Sequence, residues 1–246
     1  MDNVIEVVDV EKYYGYGEKL VKAVDRVSFQ VQKGEFISIM GTSGSGKTSL
    51  LNMIATIDFA TAGHVIFEGM DITKISDDEK TEFRKKNISF VFQDYNLIDT
   101  FTIKENICVP LIMNKCDKKE INRKADQVLK QLDIYDIRDQ YPYQVSGGQQ
   151  QRCACARALI CNSKYLFADE PTGALDTQSS IMLMEIFKML HQKYKTTIIM
   201  VTHDPISSSY SDRVLFLKDG KISYELRKGS KSNEQLLKEI LDVQRV

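Results

Sequence analysis

Phe36-Ile37-Ser38-Ile39-Met40-Gly41-Thr42-Ser43-Gly44-Ser45-Gly46-Lys47-Thr48 is a short β-rich apolar run that empties into a glycine loop. Residues 41–48 satisfy the phosphate-loop pattern G-x-x-x-x-G-K-[ST]. Glycines let the backbone curl so that successive N–H groups point at phosphate oxygens. Ser49-Leu50-Leu51-Asn52-Met53-Ile54 continues as a predicted helix, whose positive end adds to the anion site. Gly41, Ser43, Gly44, Ser45, Gly46 and Ser49 are expected around the phosphates, Lys47 on the β- and γ-phosphates, and the Thr48 hydroxyl on Mg²⁺. A glycine turn with an incidental lysine is the alternative, and the strand before and helix after argue against it.

Leu166-Phe167-Ala168-Asp169-Glu170 supplies the second half of such a site. An apolar strand ending in an acid places Asp169 beside the loop, where it holds Mg²⁺ mostly through water. Glu170, one residue on, faces an attacking water as general base. Taken alone it could equally be a surface carboxylate opening a turn.

The remaining chain reads as α/β. Residues 4–10 and 24–31 alternate apolar and polar as strands do, Lys33-Gly34-Glu35 is a turn, and 63–69 and 87–92 are further strands. From about 103 to 140 charged amphipathic stretches such as Lys118–Leu132 have helical spacing, which predicts a small helical lobe. The runs at 165–168 and 196–201 are almost continuously apolar, as buried parallel strands are, with a crossover helix at about 177–193. Residues 214–217 and 222–225 read as a closing hairpin, and 233–243 as a terminal helix.

Of the 246 residues 43% are hydrophobic and 27% charged, which fits a globular chain and excludes disordered or fibrous classes. A net charge of -1 gives no electrostatic reason to expect nucleic acid. No apolar run approaches the roughly 20 residues that cross a bilayer, and residues 1–6 do not open a secretory signal. A membrane role is therefore expected through a partner. Five cysteines without a signal suggest a reducing cytosol. Cys153 and Cys155 fall about 200° apart on a helix, so they read as packing residues and not as a metal pair. His64 and His191 read as surface residues.

Up to this point a kinase, a GTPase or a helicase would serve. Val145-Ser146-Gly147-Gly148-Gln149 closely resembles the signature sequence of ABC ATPases, with Val145 in place of the usual leucine. The resemblance covers nearly the whole chain. It implies a single nucleotide-binding domain over 1–246, built from a mostly parallel core sheet, an N-terminal antiparallel β subdomain and a helical subdomain at about 94–160. Ser146, Gly147, Gly148 and Gln149 open a helix and form a second anion-binding end, although Ser146 alone could be an ordinary helix cap. In the family this end covers the ATP on the partner's phosphate loop, so a homodimer around two ATP is implied. Gln93 matches the glutamine that senses Mg²⁺ and the attacking water, and Asp176 in Gly173-Ala174-Leu175-Asp176 matches the loop that communicates across the dimer. His203 matches the histidine at the γ-phosphate, and Tyr14 the aromatic on adenine, with Tyr13 a rival by one position.

Glu170-Pro171-Thr172-Gly173-Ala174-Leu175-Asp176 is similar to the macrolide-exporter and lipoprotein-release group. Residues 92–100, 104–107 and 199–205 look closest to bacitracin-resistance (Bce-type) ATPases. That implies ATP hydrolysis coupled to an integral-membrane permease, at the cytoplasmic face of the membrane, in resistance to antimicrobial peptides. A sensor kinase reached through the permease is a further implied partner. Two rivals stand beside this: a soluble ABC ATPase of translation or DNA repair, and the ATPase of a lipoprotein-release or cell-division permease complex. The first usually carries two cassettes or long inserted coiled coils, and only about fifty residues separate Gln93 from Ser146 here.

Overall fold

The structure is a computed structural model and describes residues 2–245. Two sheets carry the chain. The first is antiparallel, in the order β2-β1-β4-β5, from β1 (Asn3–Tyr14), β2 (Val21–Gln32), β4 (Ala62–Phe67) and β5 (Met70–Asp71). The second runs β10-β9-β3-β8-β7-β6, from β3 (Phe36–Met40), β6 (Ile88–Val91), β7 (Tyr165–Asp169), β8 (Thr197–Thr202), β9 (Arg213–Lys218) and β10 (Lys221–Arg227). Every pairing in it is parallel except the β9–β10 hairpin.

Strands β3, β7 and β8 have no polar face because both faces are covered. Ile37, Ile39, Ile199 and Val201 point to a core shared with the antiparallel sheet and with α1 (Lys47–Ile54). Phe36, Ile198 and Met200 point the other way. They meet α3 (Ile103–Met113), α4 (Lys118–Gln131), α5 (Gly147–Leu159) and α6 (Thr177–Tyr194) in a second core. Between Gln93 and Lys164 there is no strand, and α3 packs on α4 and α5. A third, smaller core seats α8 (Asn233–Gln244) through Leu236 and Ile240 on Met40, Val214 and Phe216. No helix among the described residues is long and apolar enough to cross a membrane.

Four elements differ from the sequence reading. Both N-terminal strands are longer than 4–10 and 24–31, because register shifts in β1 with Asp9 at φ +47 break the two-residue period. The strand expected over 63–69 stops at Phe67, where Glu68 and Gly69 at φ +48 and +85 turn it back into β5. Helix α2 (Asp77–Asn87) was not anticipated. It buries no residue, so it shows no apolar stripe, and it starts on a Ser76–Glu79 capping box.

Candidate active site

A cleft of about 680 Å³ opens at the carboxyl ends of the parallel strands. The register brings its parts to one level. Met40 pairs with Thr202, Asp169 with Val201, and Val91 with Ala168. The glycine loop, Glu170, His203 and Gln93 therefore leave the sheet side by side, and all line the cleft.

The loop is shaped by close approach. Gly46 has φ +100, and a Cβ there would stand 2.0 Å from the Ala23 carbonyl oxygen of β2. Gly41, Ser43, Gly44, Lys47, Thr48 and Ser49 face the cleft. Ser45 does not; it is buried, and its N–H donates to the Thr42 carbonyl at 3.2 Å. Lys47 is only 6% exposed, and its ammonium donates to the carbonyls of Gly41 and Thr42 at 2.9 and 3.0 Å. It also lies 3.7 Å from Glu170 Oε1.

Thr48 Oγ1 donates to Asp169 Oδ1 at 3.1 Å. Burial pushes the Asp169 carboxyl above its ordinary range; the Thr48 hydrogen bond opposes this and neighbouring Glu170 adds to it. Two hard oxygens in contact, one on a carboxyl that resists bare ionisation, are the donor chemistry of a small divalent cation.

Glu170 has a left-handed backbone at φ +44, uncommon for a non-glycine residue. Its N–H is held by the Val201 carbonyl at 2.9 Å. Its Oε2 accepts the His203 N–H at 3.2 Å and pairs with His203 Nδ1 at 2.9 Å. The exposed His203 ring and the half-buried carboxylate thus form a dyad at the cleft floor. Gln93 lies against Gly173, where a Cβ would stand 3.3 Å from its amide.

Tyr14 and Tyr13 diverge. The Tyr14 hydroxyl reaches Ser49 Oγ at 3.2 Å and Asp58 Oδ2 at 3.1 Å, beside the first turn of α1. Tyr13 turns to Glu11, with Lys22 over its ring. Neither ring lines the cleft itself.

Ser146, Gly147, Gly148, Gln149 and Asp176 line no part of it either. Ser146 caps α5: its Oγ accepts the Gln149 N–H at 3.3 Å, and the Gln149 side chain accepts the Ser146 N–H at 2.9 Å. The helix tip is solvent-exposed at Ser146 and Gly147. A Cβ on Gly148 would stand 2.8 Å from Ser179 Oγ, so this glycine lets the starts of α5 and α6 meet. Asp176 caps α6 through the Ser179 N–H and hydroxyl at 2.9 and 2.7 Å.

Sequence reasoning missed several residues here. Ala23, Thr42 and Gln244, the last from the end of α8, line the cleft; Thr42 stands at a free position of the loop pattern, and no local pattern marks Ala23 or Gln244. Arg157 donates to the carbonyls of Asn96 and Tyr95 at 2.6 and 2.8 Å. It braces the left-handed pair Tyr95 and Asn96 that follows Gln93. His191 is not a surface residue: its ring packs on Phe36 and pairs with Asp212 at 3.3 Å, with its side chain 19% exposed. His64 is half exposed and pairs with Asp71 at 2.9 Å. Cys153 and Cys155 are buried in α5, and burial pushes the Cys153 thiol up to about 12.

Residues 24–173 match the sequence profile of the ABC transporter family. The chain belongs to that family. It shares 45% identity over 243 residues with the bacitracin export ATP-binding protein BceA of Halalkalibacterium halodurans, covering 99% of this chain and 96% of the relative. It shares 43% over 211 residues with the macrolide export ATP-binding/permease protein MacB of Campylobacter jejuni, 86% of this chain and 33% of that one. Among solved structures, the dimeric post-hydrolysis state of the cassette MJ0796 bound to ADP and Pi superposes with a TM-score of 0.85. The identity is 37%, over 91% of this chain and 98% of that one. The chain is thus an ATP-binding ABC ATPase, with the cassette's antiparallel sheet and largely parallel core sheet.

Proposed function

We propose that this ABC ATPase works as a homodimer, closing around two ATP to drive an integral-membrane permease from its cytoplasmic face, in resistance to bacitracin-like peptide antibiotics. One observation carries the mechanism. The chain holds a cleft with a phosphate loop, a lysine and a Glu–His dyad, and apart from it an exposed serine–glycine helix tip. A helix start of this kind is an anion site, and the exposed tip of one copy is shaped to cover the phosphates in the cleft of the other.

In this reading Lys47 and the loop N–H groups of residues 43–48 hold the triphosphate, and Tyr14 stacks on the adenine. Mg²⁺ would be held by Thr48, Asp169 and Gln93 and would neutralise charge on the phosphates. The Glu170 carboxylate accepts the proton of the attacking water. His203, held against that carboxylate, orients it and reaches the γ-phosphate. Ser146, Gly147, Gly148 and Gln149 of the partner copy close over the same phosphate, and Asp176 lies at the junction between copies.

The permease end of the work falls to the helical part at 94–160, treated as a subdomain. A groove of about 400 Å³ lies beside it, lined by Phe92, Pro110, Met113, Arg84 and Lys85. Apolar and basic groups there suit a short permease helix with apolar and acidic residues, and Phe92 adjoins Gln93. ATP binding closes the dimer and hydrolysis reopens it, a switch biased by a ligand that prefers the closed form. BceA is named for bacitracin export and matches over nearly the full length, which supports the peptide-antibiotic cargo. A sensor kinase reached through the permease belongs to the same reading.

Ser146→Arg tests the shared site. Turnover should vanish while the isolated chain binds nucleotide as before; turnover at the wild-type rate would rule out shared clamping. For the cargo, a deletion strain should gain sensitivity to bacitracin-like peptides, and unchanged sensitivity would move the cargo elsewhere.

A further inference from the structure

Five residues past the Ser146 tip, about 7.5 Å along the helix, α5 carries a buried amide. Gln151 is 1% exposed. Its Nε2 donates to the Pro171 carbonyl at 2.9 Å, and its Oε1 is buried without a partner. Other buried positions of α5 are Cys153, Ala154, Cys155, Ala156 and Ala158, so packing alone does not call for an amide here.

The acceptor sits in a telling place. Pro171 directly follows Glu170, whose backbone is left-handed. Proline has no N–H, so its carbonyl is the only backbone hydrogen-bonding group by which a neighbour can grip it. On the other side Thr172 Oγ1 meets Ser207 Oγ at 3.1 Å, in the short helix α7 (Pro205–Ser208) that follows His203. The segment 170–172 is therefore clasped between the signature helix and the histidine loop. Such strained conformations persist only where the surroundings over-determine them.

We propose that Gln151 is a positioning residue that fixes Glu170 through the Pro171 carbonyl and so ties the catalytic carboxylate to the helix bearing Ser146. The inference rests on Glu170 acting as the base. It gives the signature helix a role within its own chain: a shift of α5 on receiving the partner's phosphate moves the Pro171 carbonyl, and Glu170 with it.

Gln151→Met keeps the length, removes the orphaned acceptor and deletes the donor. Gln151→Asn, a second variant, keeps the amide but falls one methylene short of Pro171. Both are compared with wild type, with Glu170→Gln and with the Gln151→Met/Glu170→Gln pair. The expected result is a kcat lowered about 10-fold or more in both single variants, since small misplacements of a catalytic group are costly. KM for ATP should stay within about 2-fold by the same reasoning. In the Glu170→Gln background, ATP-driven dimerisation should be unchanged by Gln151→Met, because the substitution acts on hydrolysis and not on closure. A kcat near wild type in Gln151→Met, beside an inactive Glu170→Gln, overturns the proposal alone. Loss of ATP-driven dimerisation in the double variant overturns it too, since Gln151 then serves the shape of α5. Wild-type turnover in Glu170→Gln overturns both this inference and the assignment of the base.

Discussion

Replacing Arg213 by Met should unfold this cassette more easily than any surface change, and the size of the effect follows from its surroundings. Arg213 in β9 is 6% exposed. Its guanidinium donates to Glu35 at 2.7 and 3.2 Å, to Glu225 at 3.5 Å, and to the Gln30 carbonyl of β2. One side chain thus rivets the antiparallel sheet to the parallel one. Met keeps the apolar stem but has no guanidinium, which leaves the Glu35 carboxylate, about 10% exposed, with the Gln32 N–H at 2.7 Å as its one hydrogen-bond donor among the described residues. Removing one partner of a buried pair costs about 3–5 kcal/mol. For a chain of this size that is a fall in Tm of roughly 6–20 °C. Urea unfolding followed by circular dichroism gives the free energy directly. Adding Glu35→Gln should recover part of the loss, because the penalty lies in the stranded charge. A Met variant within 1 kcal/mol of wild type, or a double variant less stable than the single one, would refute the reasoning.

Three further outcomes are expected. Gly46→Ala should abolish ATP binding, because its Cβ falls 2.0 Å from the Ala23 carbonyl at φ +100; isothermal titration measures it, and wild-type affinity would contradict the loop geometry. Burial raises the Asp212 pKa, but the His191 ring, the Phe36 N–H and Lys228 outweigh it and leave the carboxyl below its ordinary range. A depressed carboxyl pKa stabilises the fold above the unfolded value of about 3.9, and that stability is lost as pH falls through the folded value. Asp212→Asn should therefore be less stable than wild type near pH 7, with the gap closing in acid unfolding curves; a gap that widens in acid would be the wrong sign. In thiol labelling of the native protein at pH 8, Cys116 should react first, whereas Cys153, buried and raised to about 12, should react only on unfolding.

What the sequence disclosed follows from how local each signal is. The phosphate loop, the apolar strands ending at Asp169 and Thr202, and the serine–glycine helix start are written in contiguous residues, so periodicity and turn chemistry reach them. The helix α2 escaped because it buries nothing and has no stripe; only its Ser76–Glu79 cap was legible. Spacing could not choose between Tyr13 and Tyr14. A register shift between Lys12 and Tyr13 decides which ring turns toward Ser49, and such shifts depend on the paired strand. Gln151, Arg157 and Gln244 act across the fold, on Pro171, on residues 95–96 and on the cleft, and no neighbour in sequence announces them.

The seating of α8 has a practical side for anyone who labels this protein. Its final turn brings Gln244 to the rim of the nucleotide cleft. A fluorophore carried on a cysteine in place of Gln244 would therefore sit in the wall of that cleft and respond to whatever enters it. The same fluorophore at Asn3, which pairs with Gln32 at the opposite end of β2 from the cleft-lining Ala23, would be the silent control.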